Sequence, residues 1–206
     1  MSDINKTPIL IDVPMPVLTP RLMIRPPQAG DSVAMSAMKR ASWHDLKAWM
    51  GWAVGDGPDE MQDEMILREK AAEFILRKDM QLLAFDRAAG HLVASVGLHR
   101  FDWHARRFEI GYWVGSPFTG TGIATEASVG LARFAFNALA AKRVEIRMDP
   151  RNGASEAVAK RAGFTYEATL HKDCVGTDGS LRDTHIYVAH DDSVLPKLDV
   201  SWGRSL

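Results

Sequence analysis

A single cysteine, Cys174, stands in the whole chain, so no internal disulfide can staple the fold. An excess of either charge is also missing. Lys and Arg number 25 against 26 Asp and Glu, the net charge is -1, and no basic run exceeds Arg106-Arg107. That balance gives no footprint for direct nucleic-acid binding. No apolar run approaches the ~18 residues of a membrane span. The start, Met1-Ser2-Asp3-Ile4-Asn5-Lys6, has neither a charged leader region nor a long apolar stretch, and the expectation is a cytoplasmic protein with no membrane partner. Internal repeats and low-complexity segments are absent. The seven histidines fall without ligand spacing, so no metal is expected. What is present is a composition of 46% hydrophobic and 25% charged residues, enough for one globular domain with a full core.

Residues 1–18 carry Pro8, Pro14 and Pro16 and read as an extended arm, ahead of a domain over 19–190 and a tail over 191–206. Arg21 to Arg25 alternates as a first strand, and Asp31 is placed to cap a helix running to about Arg40. Trp43, Trp49 and Trp52 then cluster on a short helix and the loop after it. From Pro58 to Lys78 the acidic residues come early and the basic ones late, as a helix dipole favours. Gln81 to Asp86 and His91 to Phe101 read as a hairpin joined through Ala88-Ala89-Gly90, and another strand follows across Asp102 to Arg106. Glu167 to Cys174 and Arg182 to Ala189 form a last hairpin. Successive hairpins argue against a doubly wound parallel sheet, in which helices would separate the strands.

The informative stretch runs from Arg107 to Phe164. Phe108 to Val114 is apolar at every second place, whereas Ile123, Ala127, Leu131, Phe134 and Ala138 follow a helical period. Between them lies Phe118-Thr119-Gly120-Thr121-Gly122-Ile123-Ala124. Strand, glycine turn and helix together make an anion site. Gly120 and Gly122 admit a ligand close to the backbone, and the first helical amides have no internal partner. A pyrophosphate would sit there. The turn lacks the lysine of a P-loop and has Thr125 where a dinucleotide fingerprint has its third glycine. Downstream, a second strand over Arg143 to Asp149 leads into Pro150-Arg151-Asn152-Gly153-Ala154-Ser155 and a short helix closed by Gly163-Phe164.

This segment resembles the core of the GCN5-related N-acetyltransferases (GNAT), whose acetyl-CoA loop reads Gln/Arg-x-x-Gly-x-Gly/Ala. Here Thr119 replaces the first residue and the last four places match. Glu109-Ile110-Gly111-Tyr112-Trp113 and Asn152-x-x-Ser155 are similar to the RimJ/RimL-like branch that acetylates N-termini of ribosomal proteins. The resemblance covers roughly residues 19–190. It implies an α+β GNAT fold: a mixed, mostly antiparallel sheet of about seven strands, helices on both faces and a splayed central parallel pair. It also implies acetyl-CoA as co-substrate, a homodimer, and a protein N-terminus or a small amine as acceptor.

By the same resemblance, Thr119, Gly120, Thr121, Gly122, Ile123 and Ala124 hold the pyrophosphate. Backbone groups near Tyr112 and Val114, together with Asn152, take the pantetheine arm. Trp49 and Trp52 border the acceptor, or else pack as a lid over the core. The tyrosine that most of the wider family uses to protonate the thiolate is replaced by Ala159. Ser155, one turn earlier on the same helix face, is the expected proton donor; its alternative is a serine serving the helix start. Glu109 is the best candidate base, with an ion pair to Arg107 or Arg147 as the structural alternative. In the ribosomal branch a glutamate follows the sixth strand, where this chain has Asp173-Cys174. Cys174 is expected to pack rather than to carry an acyl group. Direct attack in a ternary complex is the expected mechanism. Two other classes remain open: a non-catalytic acyl-CoA module and a nucleotide-binding oxidoreductase.

Overall fold

The computed structural model describes residues 7–203. Its described strands are β1 (Val17–Leu18), β2 (Leu22–Arg25), β3 (Met80–Asp86), β4 (Leu92–Asp102), β5 (Arg107–Val114), β6 (Arg143–Met148), β7 (Thr165–Val175), β8 (Leu181–Ala189) and β9 (Ser201–Trp202). The described α-helices are α1 (Ser32–Trp49), α2 (Glu60–Ile75), α3 (Ile123–Ala138) and α4 (Gly153–Arg161). The strands form one sheet in the order β7-β8-β6-β5-β4-β3-β2-β1-β9. Only β5 and β6 pair in parallel, and α3 makes the crossover between them.

Alternation along the strands divides the core into two layers. On β3, Leu82 and Ala84 join a cluster with Leu131, Phe134 and Ala135 of α3, whereas Leu83 and Phe85 meet Met35 and Met38 of α1 and Leu67 of α2. Side chains of period two point to opposite faces, so each face needs its own helical cover. α1 and α2 cover one face and α3 the other.

Several boundaries differ from the sequence expectation. The sheet has nine strands rather than about seven, because β1 and β9, from the stretches read as arm and tail, pair with each other at Val17–Trp202 and Leu18–Ser201. Two residues offer no alternation to read, and their pairing is decided by distant chain. α1 runs unbroken for 18 residues, where a stop near Arg40 and a second short helix were expected. No glycine or proline lies between Ser32 and Trp49 to stop it. Asp31 occupies the cap position without capping. Its carboxylate instead receives two bonds from the Arg25 guanidinium, at 2.7 and 2.8 Å. α2 is shorter than expected, starting after Asp59, whose side chain accepts from the Gln62 amide at 2.7 Å.

α4 ends in a glycine cap. Gly163 has φ 87°, and the Phe164 amide reaches back to the Ala159 carbonyl at 3.0 Å. A Cβ on Gly163 would run into the carbonyl of Val194. Gly163→Ala therefore combines left-handed strain with overpacking and should destabilise the protein by roughly 2–4 kcal/mol. Thermal unfolding should show a Tm lower by about 5–15 °C, and an unchanged Tm would contradict this account of the cap.

Candidate active site

β5 is bonded differently along its two edges. Toward β4, pairing continues to Val114. Toward β6 it covers only Arg107–Arg143, Phe108–Val144 and Glu109–Glu145, after which the strands part. The backbone from Ile110 to Val114 is thus turned on one side toward a gap rather than a neighbouring strand. Unpaired backbone donors and acceptors require a partner, and an extended amide-bearing chain laid along β5 would supply one.

Beyond β5 the chain makes a 3-10 turn at Ser116–Phe118 and then the glycine turn. Gly120 has φ 75° and Gly122, the residue before α3, has φ 84°. The first helical hydrogen bond runs from the Glu126 amide to the Gly122 carbonyl at 3.0 Å, so the amides of Ile123, Ala124 and Thr125 have no intrahelical acceptor. The hydroxyl of Thr125 is buried, lines the same space and has no hydrogen-bond partner. An orphaned hydroxyl beside free amides at a helix start suits an anionic ligand.

A residue that sequence reasoning passed over holds this turn. Arg21, just before β2, bonds the Glu126 carboxylate at 2.5 Å and the Thr121 carbonyl at 2.9 Å. Glu126 also accepts from the Thr19 hydroxyl at 2.6 Å and the Arg21 amide at 2.9 Å. These bonds hold its carboxyl below the usual carboxylate range even though burial opposes them. The only sequence signal was an acidic residue in the first turn of α3; its partner lies about a hundred residues away and left none.

The gap, the glycine turn and the start of α4 open into one cavity of about 1650 Å³. At the α4 side, Asn152 caps the helix by accepting from the Ser155 amide at 3.0 Å. The Ser155 hydroxyl is therefore not the cap. It lies 2.9 Å from the Tyr112 phenol oxygen, which also donates to the Ser155 carbonyl at 3.3 Å. Burial pushes the Tyr112 phenol up to about 12, with the Ser155 bond opposing, so the phenol keeps its proton at working pH. Ala159 is fully buried in the core. Tyr112 and Ser155 line the cavity, whereas Ala159 does not.

The opposite end of the cavity is aromatic. Trp52 lies 6.4 Å from Trp43 and 6.0 Å from Trp113, ring to ring, and the Lys39 ammonium sits 5.0 Å over the Trp52 ring. Trp49 and Trp52 line the cavity and remain 43% and 46% exposed, so neither is a buried lid. His99 of β4 lines the cavity as well.

Of the residues singled out from the sequence, the cavity wall brings together Tyr112, Val114, the run Thr119–Ala124, Asn152, Ser155, Trp49 and Trp52. It leaves out Glu109 and Cys174. Glu109 lies between Arg100 at 3.4 Å and Arg147 at 3.9 Å, and burial raises its carboxyl while both arginines oppose. The pairing with Arg107 does not form; Arg107 lies 3.9 Å from Glu145 instead. Cys174 sits on β7, with its sulfur 3.8 Å from the Thr184 hydroxyl. Among the described residues no cluster of His, Cys, Asp and Glu could hold a metal ion, and no helix is long and apolar enough to cross a membrane.

Residues 21–165 match the family described as acetyltransferase (GNAT) domain. A protein of Bacillus subtilis (strain 168), provisionally named ribosomal N-acetyltransferase YdaF, is 41% identical over 98 residues, 48% of this chain and 53% of that protein. The chain thus spans about half the length of the curated relatives it matches. Among solved structures, RimJ of Mycobacterium smegmatis in complex with CoA-disulfide is 26% identical, with a TM-score of 0.72 and 88% of each chain covered. The microcin C7 self-immunity acetyltransferase MccE, in complex with acetyl-CoA and AMP, has the same fold at 22% identity and a TM-score of 0.77, covering 83% of this chain and 93% of that one.

The Arg21 clamp is testable without any ligand. Its side chain is half exposed, so its ion pair contributes on the order of 1 kcal/mol. Arg21→Ala should speed hydrogen exchange of the Thr119 and Glu126 amides, which bond the Ser116 and Gly122 carbonyls at either side of the turn, about fivefold while core strands keep their protection. Unchanged exchange in the turn would show that the clamp does not hold it.

Proposed function

The chain belongs to the GNAT acetyltransferase family, and from that premise we propose that it moves the acetyl group of acetyl-CoA to a primary amine, with a protein N-terminus of the ribosomal-protein kind as acceptor. One observation carries the reading. A strand edge without a partner, a helix-start anion site and a pair of proton-bearing hydroxyls open into the same cavity. The pyrophosphate would take the amides of Thr119 to Ala124 and the Thr125 hydroxyl, and pantetheine the free edge of β5, with Asn152 beside it. Acetyl-CoA fits the residues present, because each orphaned polar group then gains a partner.

Transfer proceeds by direct attack. The amine nitrogen bonds to the thioester carbonyl carbon, the C–S bond breaks, and the thiolate takes a proton from Ser155. Tyr112, kept protonated by burial, restores the proton to Ser155 through their 2.9 Å contact and is itself reprotonated from solvent in the open cavity. A backbone amide near Val114 would stabilise the oxyanion. The oxidoreductase reading of the glycine turn has no support from the family match. The relatives' names favour a protein acceptor, and the half-exposed tryptophans at the mouth leave room for a chain terminus. A homodimer belongs to the same proposal, supported by Tyr166, Leu170, Val175 and Leu181, which are exposed along the β7–β8 hairpin. The hydrophilic, balanced surface suits the cytoplasm.

Thiol release from acetyl-CoA, measured with short peptides carrying free α-amino groups and with small alkylamines, tests the reading. Peptides should be the faster acceptors; faster transfer to small amines would move the acceptor class, and no transfer to any amine would overturn the function. Ser155→Ala should lower kcat by about 100-fold with little change in acetyl-CoA affinity, while Cys174→Ala keeps most activity. A dead but folded Cys174 variant, with acetylated Cys174 in the wild type, would replace direct attack by a two-step route. Gly122→Val forces a β-branched residue to φ 84° with Arg21 only 3.4 Å from the new Cβ. Losing one or two charge-assisted amide bonds should weaken CoA binding at least tenfold, at about 1.5–3 kcal/mol each. Unchanged affinity in a folded variant would remove the turn from the site.

A further inference from the structure

The acceptor end of the cavity contains a histidine that the chemistry above does not use. His99 is on β4, in cross-strand register with Glu109 of β5. One pair further along, two glycines face each other, Gly97 and Gly111. A Cβ on Gly97 would meet the Met80 backbone carbonyl and lie 2.6 Å from His99 Nε2, and one on Gly111 would lie 2.8 Å from Cδ2 and 3.1 Å from Nε2. The imidazole is thus laid along the sheet over both glycines, toward the parted end of β5, and any side chain at either position would displace it. Strand glycines weaken a sheet unless something needs the space; at Gly111 that something is the ring, and at Gly97 the ring together with the Met80 carbonyl.

The other ring nitrogen is anchored. Nδ1 lies 2.7 Å from Asp79 Oδ1, at the residue preceding β3. With Nδ1–H donating to that carboxylate, Nε2 carries the lone pair, and among the described residues no hydrogen bond engages it. Charged groups surround the pair on every side. From α2, Lys70 lies 3.6 Å from Asp79 Oδ2 and 2.6 Å from Glu73. From β5, Glu109 faces the ring, flanked by Arg100 of β4 and Arg147 of β6. Lys39 of α1, further along the wall, is tied to Asp63. Glu109 is committed to two arginines and is off the cavity wall. His99 is on the wall, has a free lone pair and is oriented by a carboxylate.

We propose that His99 is the general base of the transfer and Asp79 its positioning residue; this rests on the acetyl-transfer reading above. An acceptor amine arrives protonated. His99 Nε2 takes one proton from it, the freed nitrogen pair forms the C–N bond, the C–S bond breaks, and the second amine proton is released as the amide forms. The thiolate is protonated from the Ser155 side of the sheet. One proton is released overall, and His99 and Ser155 line the same cavity. Imidazole exchanges protons readily near neutral pH, and His99 lines the cavity whereas Glu109 does not.

Steady-state kinetics with acetyl-CoA and the best peptide acceptor test this. His99→Gln, checked for folding by thermal melt, should lower kcat about 100-fold at pH 7 with the acetyl-CoA KM unchanged. The deficit should shrink as pH rises past about 8, where solvent deprotonates an α-amino acceptor unaided. Asp79→Asn should show a smaller loss of the same pH shape. In His99→Ala, added imidazole should restore part of the rate. A folded His99→Gln with wild-type kcat, or with a loss that is the same at every pH and no imidazole rescue, overturns the assignment while leaving the acetyltransferase standing. Glu109→Gln producing the pH-shaped loss in place of His99→Gln would transfer the base to Glu109 and likewise overturn it. A wild-type protein silent toward every amine overturns the acetyl-transfer reading and this inference with it.

Discussion

The site depends on the parting of β5 from β6. Three residue pairs hold the parallel contact, while along its other edge β6 stays paired with β8 from Val144 to Met148. The sheet therefore loses a ladder without losing continuity. The hydrogen bonds given up at this point define a strip of unsatisfied backbone in an otherwise bonded sheet, and that strip is the most specific demand the fold makes on a ligand. It also joins the two faces. The phenol of Tyr112 meets Ser155 on the α3 side, while Gly111, next to it in the chain, gives His99 its space on the α1 side. Adjacent residues of one strand thus serve opposite ends of one reaction path, because a strand alternates its faces.

The supports of this arrangement are long-range. Arg21 and Glu126 tie the first strands to the helix that crosses over between β5 and β6, and Gly163 lets α4 turn back under the segment at Val194. The glycine turn is consequently held from outside by side chains rather than by its own short bonds alone. A preorganised anion site has less ordering to do when its ligand arrives.

Much of this was legible in the sequence where the signal was local. The alternation of Phe108 to Val114, the glycine pair and the period of Ile123 to Ala138 located β5, the turn and α3 within a residue or so. Asn152 and Ser155 were singled out through the family resemblance, and the structure shows Asn152 capping α4 while the Ser155 hydroxyl faces Tyr112. What was not legible depended on register. Whether Tyr112 offers only its backbone or also its phenol is decided by where α4 docks. His99 and Asp79 are twenty residues apart with no motif between them, and only the hairpin of β3 and β4 brings them to 2.7 Å. The nearest sequence clue was the alternation Ser95, Gly97, His99 on a strand whose partner supplies Gly111. The extra strands β1 and β9 were missed for the same reason, since neither has a pattern without the other.

That last pair has a consequence for the order in which the molecule is made. Val17 leaves the ribosome long before its partner Trp202. Until then β1 presents an open edge, and the Trp202 ring is not yet against Phe134 of α3, where it finally lies at 5.7 Å. The acetyltransferase core can assemble during translation, yet the outer flank of the sheet is sealed only once Trp202 has emerged. In that interval an exposed strand edge is available to chaperones or to a second nascent copy.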